Sequence, residues 1–141
     1  MSCEPSTTLL TITNDVRYFS NAVATQQSRA TFASNILAAY KAFDLDGIDI
    51  DWEYPGRQGA PGNKWHPNDA KNLLSFIRLL RTVLPPAARI SAAVDVTTFI
   101  GNNGKAMNDM SEFSKVLDWA LIMNYDVWGS KSSHSITDTS L

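Results

Sequence analysis

The stretch FDLDGIDIDWEYPG, residues 43–56, alternates acidic with apolar side chains. Four of its acids, Asp46, Asp49, Asp51 and Glu53, fall within eight residues. Residues two apart on a β-strand point to the same side, so the last three acids form a column on one face of a predicted strand. The apolar residues between them are predicted to pack on helices. The column would then face the interior of a barrel or the open side of a sheet.

The rest of the chain predicts repeated βα units around a parallel sheet, because short apolar runs alternate with segments of helical period. The predicted strands are 8–12, 47–54, 89–94 and 119–125. The predicted helices run from Ser28 to about Phe43, from Pro67-Asn68 to Pro85-Pro86, and over 110–118. A stripe of apolar residues is predicted to bury one face of the first helix: Phe32, Ile36, Tyr40 and Phe43.

The length of the chain leaves two folds open. A closed eight-stranded βα-barrel needs no fewer than about 200 residues, and this chain has 141. The alternative is an open doubly wound sheet of four strands, although no Gly-rich phosphate loop follows the first strand. In either fold, Trp52 and Trp119 share a strand face with the apolar residues of their strands and are predicted to belong to the core.

Composition and charge exclude several classes of partner. The formal charge is -2 and the pI is near 5.5, and the basic residues form no run, so neither nucleic acid nor an anionic membrane is an expected partner. The sequence contains no apolar stretch long enough to span a bilayer, and MSCEPSTTLLTITND lacks the pattern of a signal peptide. No specific protein partner is evident, and the single Cys3 does not indicate a compartment.

Geometry limits the chemistry of the acidic column. Cα atoms two apart on a strand are roughly 6.6 Å apart, so the carboxyls stand side by side and do not face each other across a sugar ring. Crowding and burial predict that at least one of their pKa values is raised, and Glu53, nearest the carboxyl end of the strand, is the predicted general acid. A solvated amphipathic strand and a Ca²⁺ or Mg²⁺ site are the alternatives. Asp46 has the other parity and is predicted to be structural.

Two motifs resemble those of glycoside hydrolase family 18, the chitinases. DGIDIDWE, residues 46–53, is similar to the family signature DGxDxDxE, and Tyr54-Pro55 follows it as in the family. MNYD, residues 123–126, resembles the second active-site motif, and SAAV, residues 91–94, lies between the two as in fungal-type members. The resemblance favours an incomplete (β/α)8 TIM barrel, in which the predicted strands correspond to strands three to six.

The resemblance also implies an activity, the hydrolysis of β-1,4-linked N-acetylglucosamine with retention, in which the acetamido oxygen of the substrate is the nucleophile. Glu53 is similar to the general acid, Asp51 to the residue that orients the acetamido group, and Asp49 to the residue that holds Asp51. The implied substrate-binding residues are Tyr54, Met123, Tyr125 and Asp126, and Trp128 is a candidate platform for a sugar ring. The expected ligand is chitin or a chito-oligosaccharide, and no cofactor or metal is expected.

The sequence departs from the family at both ends of the barrel. TLLTITND stands where the family has SxGG, and the family tryptophan that forms the floor of the sugar subsite has no counterpart. Residues 1–141 are therefore expected to be a partial catalytic domain. The departures leave open a chitin-binding lectin, an inactive fragment and an endo-β-N-acetylglucosaminidase. The resemblance favours an extracellular location.

Overall fold

A single parallel sheet organises the chain. The computed structural model describes residues 7–13 and 18–125. Within them the elements are β1 Leu9–Thr13, α1 Phe19–Ala24, α2 Gln26–Ala42, β2 Gly47–Asp51, α3 Asp69–Val83, β3 Arg89–Val94, α4 Ser111–Ser114 and β4 Trp119–Ile122. Each of the four predicted strands is present. Among the described helices, none is long and apolar enough to cross a membrane.

The order of the strands decides between the two predicted folds. The sheet has the order β1-β2-β3-β4, and every neighbouring pair is parallel. A doubly wound sheet reverses its strand order at a switch point, whereas a βα-barrel adds each strand beside the one before it. The first three helices also pack against one another and so form one layer. The described region is therefore an arc of a barrel.

The helix layer covers one face of the sheet. Ile48 and Ile50 of β2 and Ile90 of β3 are buried in the same cluster as Phe76 of α3. Trp52, just beyond β2, stacks on Phe19 of α1 with ring centroids 4.8 Å apart and an interplanar angle of 12°. The prediction that the apolar face of the acidic strand packs on helices is confirmed, and so is the place of Trp52 in the core.

The first predicted helix begins earlier than expected. Its N-cap is Thr25, whose hydroxyl oxygen accepts from the Ser28 backbone N at 3.0 Å, while the Ser28 hydroxyl accepts from the Thr25 backbone N at 3.1 Å. Ser28 is thus the third helical residue of a capping box, and its prediction as the cap was wrong. Phe43 ends the predicted stripe, but it follows the helix and is 70% exposed, so it does not join the core.

The other helices differ from the prediction in extent. Helix α3 begins after Asn68 and ends before Pro85, as predicted. Helix α4 covers only Ser111–Ser114, which is shorter than the predicted 110–118. Helix α1 was not predicted, because its six residues are too few to show a helical period.

Trp119 lies outside the core, contrary to the prediction. The register pairs Asp49 with Ser91 and Ser91 with Trp119, so Trp119 shares a row with Asp49 on the acidic face of the sheet. It is 38% exposed. The sequence misled because every residue of β4, WALI, is apolar, and alternation therefore could not assign its faces.

Asp69 anchors the loop between β2 and α3. Its side chain is fully buried and accepts hydrogen bonds from the Ser20 hydroxyl at 2.7 Å, from the His66 backbone N at 2.7 Å and from the Gly56 backbone N at 3.4 Å. Several donors to one carboxylate compensate for its burial. Through Asp69, the start of α3 holds both α1 and the segment that follows the acidic strand.

Candidate active site

The acidic column has the geometry that strand parity predicts. Asp49 is 7% exposed, and Asp51 and Glu53 are half-buried. The three groups lie close enough to interact, because the charges of Glu53 and Asp49 both act on Asp51. The column stands at the carboxyl end of β2, the edge of a parallel sheet where α/β active sites form.

Asp46 is structural, as its parity predicts. One of its carboxylate oxygens accepts from the Thr8 backbone N at 2.7 Å. Its backbone N donates to the Thr8 carbonyl at 2.8 Å, and its carbonyl accepts from the Arg89 backbone N at 2.9 Å. Asp46 therefore joins the starts of three strands, away from the column.

The deepest carboxyl is held by a neighbouring strand. The Ser91 hydroxyl, fully buried on β3, donates to Asp49 Oδ1 at 2.6 Å. A hydrogen bond to an ionised acceptor is stronger than one between neutral groups. Ser91 was not among the predicted site residues. The signal that identifies it is the pairing of Asp49 with Ser91 in the register of β2 and β3.

The middle carboxyl has the raised pKa. Burial raises the pKa of Asp51 above its ordinary value of 3.8, and the neighbouring charges of Glu53 and Asp49 raise it further. Its Oδ1 is buried, and no donor reaches it within the described ranges. The prediction of a raised pKa in the column is confirmed, and the group that shows it is Asp51. This oxygen is therefore a buried acceptor whose hydrogen-bonding capacity is unused by the described residues.

Glu53 acts on the residue that follows it. The Tyr54 side chain lines the same cavity as Glu53. Burial, and then the neighbouring Glu53 carboxylate, raise the pKa of Tyr54 to about 12. The phenol is therefore a hydrogen-bond donor at neutral pH. The peptide bond between the two residues is cis.

A cavity of about 300 Å³ joins the acidic column to the next strands. It brings together four residues that the sequence predicted as site residues and three that it did not. Its lining is Glu53, Tyr54, Arg57, Asp95, Val96, Met123 and Tyr125. Asp126 and Trp128, the remaining predicted binding residues, lie outside the described residues.

Two other depressions are larger, but they do not contain the acidic column. One of about 400 Å³ lies between β4 and α4, and one of about 540 Å³ lies beside the start of α3. Neither is lined by a carboxyl of the column. Volume alone does not identify a site, whereas convergent titratable groups with a perturbed pKa do. Among the described residues, no group of three His, Cys, Asp or Glu is placed to hold a metal ion.

The loop after β2 folds back onto the backbone of Glu53. Asn63, which is buried, donates from its Nδ2 to the Glu53 carbonyl at 3.0 Å. A Cβ added to Gly59 would lie 1.9 Å from the same carbonyl oxygen. Only glycine leaves room for this approach. Neither residue was predicted, because the loop is merely rich in Gly and Pro and has no periodicity.

We expect Gly59→Ala to displace the Glu53 backbone, because a contact of 1.9 Å between Cβ and a carbonyl oxygen forces one of the two segments to move. A displacement of about 1 Å at a reacting group costs about 100-fold in rate. The measurement is the rate of hydrolysis of a chromogenic chitobioside, the kind of substrate that the family resemblance implies. Gly101→Ala is the control, since the atom nearest to its Cβ would be Asn103 Oδ1 at 3.3 Å and the next would lie at an ordinary contact distance of 3.6 Å. Equal rates in the two variants would contradict the close approach.

The sequence and fold define a class, the βα-barrel proteins that carry a carboxylate column at the end of one strand. The profile described as glycosyl hydrolases family 18 matches residues 6–141. The chain therefore belongs to glycoside hydrolase family 18. This confirms the family that the DGIDIDWE and MNYD motifs indicated.

Curated relatives include both enzymes and proteins with other roles. A "chitinase-like effector" of Moniliophthora roreri is 43% identical over 115 residues, which are 80% of this chain and 27% of that protein. "Chitinase A1" of Niallia circulans is 28% identical over 123 residues, which are 83% of this chain and 18% of that protein. The chain thus spans about a quarter or less of the length of these relatives.

A solved structure gives the same fold. The crystal structure of a chitinase from Rhizomucor miehei aligns with a TM-score of 0.82 at 30% identity, covering 86% of this chain and 34% of that one. The four parallel strands are therefore part of an incomplete (β/α)8 barrel, which confirms the predicted fold class and excludes the doubly wound alternative.

Proposed function

We propose that this chain carries the catalytic centre of a chitinase-type glycoside hydrolase. In this proposal it cleaves β-1,4-linked N-acetylglucosamine by substrate-assisted, retaining hydrolysis, and its partner is chitin or a chito-oligosaccharide. The observation that carries the proposal is the column of three interacting carboxyls, with Glu53 at its mouth beside the cavity. We further propose that residues 1–141 are part of the catalytic domain, with the described strands as strands three to six of the barrel.

Each member of the column has its own role in the proposed reaction. Glu53 gives a proton to the leaving oxygen and then takes one from the attacking water. Asp51 accepts the acetamido N–H with a carboxylate oxygen. It also stabilises the positive charge that develops when the acetamido oxygen attacks the anomeric carbon. Asp49, held by Ser91, supports Asp51 from below.

The geometry supports a nucleophile supplied by the substrate. A retaining glycosidase with its own nucleophile places two carboxyls about 5 Å apart across the sugar ring. Here Asp49 and Asp51 project from one face of β2 and Glu53 follows two residues beyond Asp51, so the carboxyls stand in sequence at one strand end and meet the sugar from the same side. The protein then provides an acid and an electrostatic support, and the sugar provides the attacking oxygen.

The other predicted residues are proposed to shape the sugar subsite. Tyr54, Met123 and Tyr125 line the same cavity as Glu53. Met123 is buried and offers an apolar wall, while Tyr125 is exposed and offers a ring face to a pyranose. Asp126 and Trp128 remain sequence-based predictions for the same subsite.

A second candidate function is oligosaccharide binding without turnover. The observation that favours it is the name of the relative from Moniliophthora roreri, which is 43% identical and is described as chitinase-like and as an effector. The endo-β-N-acetylglucosaminidase alternative shares the acid and the subsite, and it differs only in its substrate.

The test compares two chromogenic disaccharides, 4-nitrophenyl chitobioside and 4-nitrophenyl cellobioside. Substrate assistance requires the acetamido group, so we expect release of nitrophenol from the first alone. Calorimetry with chitotriose measures binding separately. Binding without turnover would support the lectin, and the absence of both would contradict the proposal. Turnover of a high-mannose glycopeptide in place of chitobioside would support the endo-β-N-acetylglucosaminidase.

A further inference from the structure

Arg57 and Asp95 form a charged wall of the cavity that contains Glu53. Both residues line that cavity, Arg57 from the loop after β2 and Asp95 from the position that follows β3. Their side chains form an ion pair in which Arg57 Nη2 donates to Asp95 Oδ2. Among the described lining residues, the acidic and basic ones are Glu53, Asp95 and Arg57. The proposed reaction uses Glu53 but does not use the pair.

Neighbouring groups hold the pair in place. Asp95 accepts from the Val96 backbone N at 2.7 Å and from the Thr97 hydroxyl at 3.3 Å. The guanidinium carbon of Arg57 lies 3.9 Å from the centroid of the Tyr54 ring, in a cation–π contact. Side chains that are already ordered lose little entropy when a ligand binds to them. The charged wall is therefore preorganised for binding.

The pair can bind both a donor and an acceptor of a ligand. A guanidinium has five N–H donors, more than its contact with one carboxylate oxygen uses, and each carboxylate oxygen has two lone pairs. A sugar hydroxyl donates one hydrogen bond and accepts others, so a neighbouring cation and carboxylate suit it. The cavity volume of about 300 Å³ is at the lower end of the range for small-molecule pockets, about 300–1,000 Å³, and therefore matches a single sugar unit.

We propose that the Arg57–Asp95 pair binds the hydroxyl edge of a sugar unit beside Glu53, and that Arg57 makes this site select neutral N-acetylglucosamine over protonated glucosamine. Arg57 donates to the sugar, and Asp95 accepts from it. The Arg57 cation also offsets the negative charges of Asp95 and Glu53, which without it would attract an ammonium group. This inference rests on the proposed glycosidase function, and it names the substrate group that the subsite distinguishes.

The pair is accessible, and its loss should not unfold the chain. The Arg57 side chain is 38% exposed and that of Asp95 is 25% exposed. Ion pairs near the surface contribute little to folding stability. Variants of either residue should therefore keep the urea midpoint of the unsubstituted chain, so that a changed affinity reports on contact with the ligand.

The first test measures the affinities of two trisaccharides by calorimetry, chitotriose and its fully deacetylated form, at about pH 6, where the amino groups are protonated. Arg57→Met keeps much of the side-chain length and removes the charge. Chitotriose should bind about tenfold more weakly, because a charge-assisted hydrogen bond is lost. The deacetylated form should bind about as tightly as before, since the uncompensated Asp95 carboxylate attracts its ammonium groups.

The second test reverses the sign of the change. Asp95→Asn keeps an acceptor oxygen but leaves the Arg57 cation uncompensated, so the deacetylated form should bind about tenfold more weakly while chitotriose changes less. A pair that served only to hold the loop would be broken by either substitution, and both would then shift the two affinities alike. Arg57→Lys, which keeps the cation, should keep the selectivity.

The matched controls are Arg78→Met and Glu112→Gln. Arg78 and Glu112 form an exposed ion pair, and neither residue lines the cavity. These substitutions make the same changes in net charge and should leave both affinities unchanged. Equal shifts in Arg57→Met and Arg78→Met would overturn the inference, because the net charge of the chain would then explain the selectivity.

The remaining outcomes separate this inference from the proposed function. If the unsubstituted chain releases nitrophenol from the chitobioside but Arg57→Met and Asp95→Asn keep both affinities within about twofold, the inference is wrong and the function stands. If the chain binds the trisaccharides without turnover, the enzymatic function fails and the affinity ratios still decide the role of Arg57. If the chain neither cleaves nor binds them, both are wrong.

Discussion

Replacement of Glu53 by glutamine is expected to lower kcat for chitobioside hydrolysis about 1,000-fold, the range that general acid catalysis supplies. Glutamine has nearly the same shape, but it has no acidic proton to give to the leaving oxygen. Because no contact with the sugar is lost, KM should stay within a factor of about two. Initial rates over a range of chitobioside concentrations measure both quantities.

The matched control for this substitution is Glu112→Gln. Glu112 is a half-exposed glutamate that pairs with Arg78 and Lys115, and it lies outside the cavity of the column. It should retain the full rate. Glu53→Gln with a rate within about fivefold of the unsubstituted chain would assign proton donation to another group and remove the basis of the proposed mechanism.

The acidic strand shows how much of the fold the sequence predicts. Strict alternation in GIDID determines both faces, because the period of a strand is two and one set of residues is apolar. The faces of β4 could not be predicted in this way, and Trp119 was placed on the wrong side. Strand order was also not predictable from local pattern, since it depends on which hydrogen-bonded edges meet in three dimensions.

The same distinction applies to the residues of the candidate site. The sequence alone could place the acids of the column, Met123 and Tyr125 near one another, because two motifs put them at fixed spacing near strand ends. Asn63 was not predictable, because its loop has no periodicity. Ser91, Arg57 and Asp95 were not, because each forms a contact between distant parts of the chain. Asp95 meets Arg57, for example, across 38 positions of sequence. Such pairs become visible only when the register and the loops are known.

Replacement of Asp51 by asparagine is expected to have two opposite effects, a loss of activity and a gain in stability. The activity should fall about 100-fold, because the negative charge that stabilises the developing positive intermediate is removed. Asparagine keeps an oxygen that can accept the acetamido N–H, so oligosaccharide affinity should change less than kcat. Hydrolysis rates and calorimetry with chitotriose separate the two.

The stability effect follows from the raised pKa of Asp51. Its pKa is higher in the folded chain than in the unfolded one, so the folded chain binds this proton more tightly. The stability that the group contributes is complete below the ordinary pKa and is lost as pH rises through the raised value. Asparagine cannot ionise and avoids that loss. The variant should therefore be more stable than the unsubstituted chain at neutral pH. This difference in stability should vanish near about pH 3, which is about one unit below the ordinary pKa of Asp.

Urea midpoints at neutral and acid pH test this sign, and Asp109→Asn is the control. A hydrogen bond from the Ser111 backbone N lowers the pKa of Asp109, so its ionised form is favoured by folding and its replacement should bring no gain at neutral pH. If the urea midpoint of Asp51→Asn at neutral pH is equal to or below that of the unsubstituted chain, the claim that the buried Asp51 charge destabilises the fold is wrong. A gain in stability together with the loss of turnover would show that the column keeps a destabilising carboxylate because the reaction requires its charge.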